Sequence, residues 1–284
     1  MRRVLPDLTR RWRVFALVRS RDPALAAAGV TQLVGDLDRP QTLRRISGLA
    51  QAVLHSAPPP GEGRGDPRTR RLLAALARRA SLPRTFAYIS TTGVYGDCAG
   101  AFVPETRPLR AKSPRAQRRV AAEALLRQAG KRSRMRVSLL RAPGIYAADR
   151  LPLERLRRGD PVLLPTEDSY TNHIHAEDLG RACVVALEHG RANRAYNVCD
   201  DSDIRMGDWF DKLADAFSLP RPPRATRAEA QTRLSPQLLS FLNESRRLVN
   251  RRMKHELGLR LRYPTVDAGI ADALQQQERI ACSG

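Results

Sequence analysis

Short apolar runs separated by helix-like stretches recur through the first half of this 284-residue sequence. Val14 to Val18 ends at Arg19-Ser20, and Thr31 to Val34 ends at Gly35-Asp36-Leu37. Ala52 to Leu54 closes on His55-Ser56-Ala57 and three prolines, which cannot continue a strand. Phe86 to Ser90 and Val137 to Leu140 are the next two runs. Pro67 to Ala80 is helix-like, as is Pro114 to Ala129, with Ser113 as its N-cap, Pro114 at the first helical position and Gly130 as its stop. Strand-like runs alternating with helices predict an α/β fold: a doubly wound parallel sheet buried on both faces. The length suits one such unit with a smaller appendage.

The second half reads differently. Glu177 to His189 is one amphipathic helix and Ala195 to Val198 a short strand. From Arg205 onward the pattern is mostly helical, broken at Pro220, Pro222 and Pro223. The expected division is a sheet domain over 1–203, to whose cap 149–170 contributes, and a helix-rich C-terminal cap over 204–284. The apolar stretch around Cys183 to Leu187 is too short to cross a bilayer, and MRRVLPDLTRRW has no apolar core of a secretory signal. Cys98, Cys183, Cys199 and Cys282 show no paired spacing, which argues against zinc and against a disulfide framework, so a reducing cytoplasm is the expected compartment. The net charge of +21 raises the question of nucleic acid. However, the arginines are spread along the chain, and no run interleaves them with aromatics as a stacking platform requires. A solvated arginine-rich surface is the expectation.

Four segments carry a resemblance. YISTTGVYGD (88–97), LRAPGIYAADR (140–150), TNHIHAEDLGRA (171–182) and ESRRLVNRRMKHELGLRLRYPTVDAGI (244–270) resemble, in order and spacing, segments of the extended short-chain dehydrogenase/reductase family, also called the NAD-dependent epimerase/dehydratase family. The resemblance implies a Rossmann-type sheet that binds NADP or NAD outside the carboxyl ends of its strands, with a small-molecule substrate beside it. It places Ser56, Ala57, Pro58 and Ser90 on the cofactor, and Pro143, Gly144 and Ile145 around the nicotinamide. Asp36 can accept from the adenine amino group with Leu37 against the ring, although a plain turn after Gly35 explains Asp36 too. Arg19 with Ser20 tilts the choice toward NADP, because Arg can clamp a 2′-phosphate; an arginine-rich chain offers a blander explanation. Thr91 fits the Ser/Thr that binds the substrate carbonyl, and Tyr95 is the substitute acid, unless it packs beneath the cap. Tyr146, Asn172 and His173 are expected in the substrate cleft. Asp178 is expected to cap and anchor its helix, while His175 packs against the sheet.

Two absences qualify the resemblance. The family opens with a buried strand and a G-x-x-G-x-x-G turn that seats the pyrophosphate, whereas here no glycine precedes Gly29, and MRRVLPDLTRRW resembles the end of the following helix. The omitted strand would be central, so its loss leaves two strand edges and a hydrophobic slot. Either a start upstream, the favoured explanation, or genuine loss of the loop accounts for this; as written, the chain is expected to bind a dinucleotide poorly. The second absence is the catalytic Tyr-x-x-x-Lys. Arg115 stands at the Tyr position, within reach of substrate, and Arg119 at the Lys position, within reach of a ribose or phosphate. Arg stays protonated and cannot shuttle a proton. The resemblance also implies pairing of two copies through Pro114 to Ala129, against which its dense arginine counts. The expected function is an NAD(P)-binding oxidoreductase or sugar-nucleotide epimerase/dehydratase-like protein acting on a small polar substrate. The alternative is a non-catalytic NAD(P)-binding regulatory or redox-sensing module.

Overall fold

The computed structural model describes residues 2–78, 82–235, 238–239 and 242–281, so the predicted helix end at Ala80 and Cys282 lie outside the described residues. In chain order the elements are α1 (Leu5–Arg11), β1 (Phe15–Val18), α2 (Pro23–Ala27), β2 (Thr31–Val34), β3 (Ala52–His55), α3 (Pro67–Ala77), β4 (Thr85–Thr91), β5 (Phe102–Val103), α4 (Pro114–Ser133), β6 (Arg136–Ala142), β7 (Gly144–Tyr146), α5 (Leu153–Arg157) and β8 (Val162–Leu163). They continue with β9 (Tyr170–Thr171), β10 (His173–His175), α6 (Ala176–His189), β11 (Arg194–Asn197), β12 (Ile204–Arg205), α7 (Met206–Ala216), β13 (Arg224–Ala225), α8 (Arg227–Arg233), β14 (Arg247–Leu248), α9 (Arg251–Glu256) and α10 (Val266–Ala281).

The central sheet is parallel, in the order β3-β4-β6-β11. Its middle strands read as continuous apolar runs because both faces are covered. On one face Ala87, Leu140 and Tyr196 meet Leu179, Cys183 and Leu187 of α6. On the other, Phe86, Tyr88, Val137 and Leu139 meet Leu72 and Leu76 of α3 and Ala122 and Leu126 of α4. β1 and β2 form a separate parallel pair. α1 lies against α6 through Val4, Leu8 and Val184. Gly180 of α6 makes room for this, since a Cβ there would stand 3.3 Å from Val4.

Two helix boundaries have causes that spacing does not reveal. Gly130 does not stop α4, which runs on to Ser133 and ends at Arg134 with φ 58°. Gly130 is there for close approach instead, because a Cβ would fall 2.6 Å from Asn193 Oδ1 and 2.9 Å from Val137. At the start, the expected cap holds: Ser113 accepts from the Ala116 N–H at 3.3 Å.

The cap core joins Leu153, Leu156 and Val162 to Trp209, Phe210, Leu213, Val266 and Ile270, so 149–170 packs with the C-terminal helices. The tail then returns to the sheet domain. β14 pairs with β5, and Met253, Leu257 and Leu259 enter the α6-side core. A cap of 204–284 without interruption therefore does not describe the packing.

Gly96, in the turn after β4, has φ 70° and ψ −161°, a region essentially reserved for glycine. A Cβ there would lie 2.2 Å from the Arg110 carbonyl oxygen. Gly96→Ala is expected to cost about 3 kcal/mol from backbone strain and overpacking together, read as a lowered urea midpoint at unchanged slope.

Candidate cofactor crevice at the strand tips

The strand register sets the site. His55 pairs with Tyr88, and Thr91 with Ala142, so Ser56, the residues after Thr91, and Pro143 all leave the sheet at the same end. The loop after β2 is fastened to that end by the first turn of α3. Arg68 donates to Asp38 from Nε at 3.1 Å and from Nη2 at 2.6 Å, and its Nη1 donates to the Pro58 carbonyl at 3.0 Å. Arg71 donates to the Leu37 carbonyl at 3.2 Å. The Arg68 hydrogen bonds hold the Asp38 carboxyl below its usual range, and the charges of Arg71 and Arg19 pull the same way. Arg19 and Ser20 are exposed at the tip of β1. Asp36 is half-buried, with Oδ1 accepting from the Asp38 N–H at 2.9 Å, and Leu37 leans on the cluster containing Leu43 and Leu72. Ser56 and Ala57 are half-buried and Pro58 exposed. Sequence reasoning missed Asp38, Arg68 and Arg71, which bond across about thirty residues without any local motif.

Further along the strand tips, Thr91 is half-buried and accepts from the Gly93 N–H at 3.3 Å. Arg119 donates to the Tyr88 hydroxyl at 2.9 Å and to the Ile89 carbonyl at 2.6 Å. Behind Tyr88, the His55 ring stacks at 5.2 Å, and its Nε2 lies 3.0 Å from the Thr69 hydroxyl. Thr69 spends its one proton on Asp66 at 2.6 Å, so His55 Nε2 must carry the hydrogen of that contact. Burial pushes His55 down to about 4 and Tyr88 up to about 12, leaving both neutral at pH 7. Pro143 and Ile145 are half-buried and Gly144 is exposed, with room for a Cβ limited by the His173 ring at 3.1 Å.

Several predicted site residues are spent elsewhere. Tyr95 is 1% exposed, donates to Asn197 Oδ1 at 2.6 Å and accepts from Arg141 at 2.8 Å. Burial pushes its phenol up to about 12, so the packing role expected beneath the cap describes it and the role of substitute acid does not. The Ser90 hydroxyl donates to buried Glu123 at 2.6 Å rather than facing a cofactor. Asn172 donates its amide N–H to the Arg246 carbonyl at 2.8 Å and accepts the Leu248 N–H at 2.8 Å, which clamps the backbone leading through β14. Tyr146 and His173 are also buried, in an aromatic cluster with Trp209 and His175, and the Tyr146 hydroxyl donates to the Thr265 carbonyl at 3.3 Å. These two pack between sheet and cap instead of lining a cleft. Arg115 is exposed on the first turn of α4. His175, not Asp178, caps α6, and Asp178 accepts the Arg262 and Tyr263 N–H groups at 2.9 and 2.8 Å, anchoring the returning tail.

A cavity of about 530 Å³ opens between the segment after β4 and the cap, lined by none of the strand-tip residues above; Asp168, Tyr170, Arg205, Arg227 and Ser245 are among its walls. Among the described residues no group of three or more His, Cys, Asp or Glu is placed to hold a metal, and no helix is long and apolar enough to cross a membrane.

Residues 9–199 match the model of the NAD dependent epimerase/dehydratase family. The chain belongs to that family. Over 181 residues it is 29% identical to a GDP-6-deoxy-D-mannose reductase of Pseudomonas aeruginosa, a match covering 57% of this chain and 59% of that protein's length. A conserved protein of unknown function from Silicibacter pomeroyi superposes with a TM-score of 0.80 at 31% identity, covering 97% of this chain and 94% of that one. A Pseudomonas aeruginosa protein solved with NADPH superposes with a TM-score of 0.68 at 21% identity, covering 89% and 92% of the two chains. Within the family's fold, the strand-tip end described above is the end where ligands bind in open α/β sheets.

Proposed function

We propose that this family member binds NAD(P) across the strand tips and acts, as an oxidoreductase or epimerase-like protein, on a small polar substrate of sugar-nucleotide type. The observation that carries the reading is the Asp38–Arg68–Pro58 link, which gathers the tips of β2 and β3 beside Arg19 and at the same end as Thr91 and Arg119. The residues present fit two parts of such a cofactor. Arg19, Ser20, Asp36 and Leu37 would hold the adenosine end, with Arg19 favouring a 2′-phosphate. Arg119, fixed on Tyr88, and the backbone of Pro143, Gly144 and Ile145 would hold the nicotinamide ribose end. The pyrophosphate between these two ends is assigned to no residue of this chain. When bound, the cofactor supplies hydride transfer. Thr91 would orient a substrate carbonyl, and the substrate's polar remainder would reach the cavity beside Tyr170 and Arg205.

A second reading, a non-catalytic NAD(P)-binding module, is favoured by the engagement of Tyr95 and by arginines where a proton shuttle is needed. Hydride-transfer assays on a panel of carbonyl substrates separate the two. Cofactor binding is tested by fluorescence titration with NADPH and NADH. NADPH is expected to bind more tightly, and Arg19→Ala to weaken NADPH about tenfold, near 1.4 kcal/mol, while leaving NADH unchanged. Equal loss for both cofactors would remove the 2′-phosphate role, and no binding by either would remove the cofactor reading. Steep salt dependence of RNA or DNA binding would instead favour a nucleic-acid partner.

A further inference from the structure

α3 and α4 cover the same face of the sheet, both packed on the cluster of Phe86, Tyr88, Val137 and Leu139. Their outward sides enclose a groove of about 570 Å³, walled by Gly65, Asp66 and Arg70 on one side and by α4 from Ala121 to Lys131 on the other. Along α4, Ala121, Ala124, Leu125 and Gln128 recur at helical spacing and form one stripe, and the span from Ala121 to Lys131 is about 15 Å. None of the four is buried, because Ala122 and Leu126 of the same helix take the side that meets the sheet.

The groove's rims carry charge that the fold leaves uncompensated. α3 holds Arg68, Arg70 and Arg71 and no acid, and α4 holds six basic side chains and a single acid, Glu123. Arg68 and Arg71 are spent on Asp38. Glu123 is buried against Arg141, and Asp66 is 1% exposed with its two oxygens accepting from the Thr69 N–H and hydroxyl. Elsewhere exposed arginines find acids, as Arg157 finds Glu154 and Arg221 finds Asp215. Arg70 and Lys131 have no acidic partner among the described residues, and Arg127 donates to the Asn193 carbonyl. Arg118 adds a buried charge near Gly65: it is 7% exposed, donates to the Gly63 carbonyl at 3.2 Å and leaves its Nε without an acceptor.

We propose that this groove docks an acidic amphipathic helix of another polypeptide. Apolar side chains at i, i+3, i+4 and i+7 meet the stripe from Ala121 to Gln128, and flanking carboxylates meet Arg70 on one rim and Arg127 and Lys131 on the other. The small side chains of Ala121 and Ala124 let the two helix axes approach closely. An extended segment would find no backbone partners here, since the middle turns of α3 and α4 satisfy their own. The groove's lining includes no aromatic ring on which a base could stack. A second copy would bring the same basic rims and no acid to meet them.

The test uses the full chain and a labelled probe peptide made of two copies of Glu-Leu-Glu-Glu-Leu-Leu-Ala, with binding read by fluorescence anisotropy. A control peptide has the same composition in an order that spreads the leucines around the helix. The probe is expected to bind with a Kd of about 10 μM, and the control about tenfold more weakly. Arg70→Glu with Lys131→Glu is expected to weaken the probe at least about tenfold, with Tm unchanged because both side chains are exposed. Arg251→Glu with Arg260→Glu, which reverses two exposed charges beside the α6-side core, is expected to leave probe binding within about twofold. No binding, equal binding of the two peptides, or equal losses in the two double variants would each overturn the proposal, since general attraction to a basic protein would then explain the result. So would tighter binding of single-stranded poly-uridine than of the probe with the same sensitivity to Arg70 and Lys131, or a dimer in light scattering that the Arg70 and Lys131 variant abolishes. NADPH binding does not enter the readout, so the result stands apart from the cofactor reading.

Discussion

Glu123→Ala is expected to destabilise the protein by about 3–5 kcal/mol, the usual cost of removing one partner of a buried ion pair. Arg141 and Glu123 are 2% and 1% exposed in their side chains, and their bidentate contact spans 2.7 Å and 3.1 Å. With the carboxylate gone, the guanidinium stays charged and has only the Tyr95 hydroxyl and the Glu105 carbonyl for company. Ser90 loses its acceptor as well. In a chain of this length the loss corresponds to about 10 °C in Tm. Replacing both residues, as Glu123→Met with Arg141→Met, removes the stranded charge and is expected to recover most of the loss, so a double-mutant cycle by urea unfolding should show a coupling of several kcal/mol. A single-variant loss below 1 kcal/mol would mean the pair is hydrated and not part of the dry core.

That network marks the boundary of what the sequence reveals. The strands were legible because their β-branched runs stand between clear breakers. Thr31 to Val34 was read with its observed ends, and the other runs to within a residue or two at each end. The helix capped by Ser113 was equally legible, since capping is local. Side-chain roles in the site were not. Tyr95 looks free beside a family-like Val-Tyr-Gly, yet its hydroxyl is bonded to Asn197, 102 residues away. Asn172 looks like a cleft residue, but its two partners are Arg246 and Leu248, at and just before β14, more than seventy residues on. Spacing along a strand or helix shows which face a residue takes, and it is silent on which distant backbone that face will meet. Gly130 teaches the same point, because a glycine chosen for close packing looks in sequence like a helix stop.

Asp200 gives the stability of this protein an unusual pH dependence. It is 4% exposed, accepts the Ser202 N–H at 3.0 Å through Oδ1, and its Oδ2 has no protein partner among the described residues. Burial pushes its carboxyl up to about 7 from a reference of 3.8. Between those values the folded protein holds a proton that the unfolded chain has released, so the contribution of Asp200 is present in acid and lost as pH rises toward 7. His55, held down to about 4, and His173, held down to about 3, act in the opposite sense: the unfolded chain takes up their protons first, so stability falls as pH drops below 6.5. In the parent protein, one carboxyl therefore offsets part of what two imidazoles do between pH 4 and 6.5. Asp200→Asn keeps the acceptor for Ser202 and cannot ionise. Its stability relative to the parent is expected to improve by about 3 kcal/mol between pH 4.5 and 7.5, a shift of one pKa unit being worth about 1.4 kcal/mol. Urea unfolding of both proteins across that range measures this directly. A difference that stays constant with pH would show that Asp200 ionises as freely in the folded chain as in the unfolded one, and that water reaches the junction between sheet and cap.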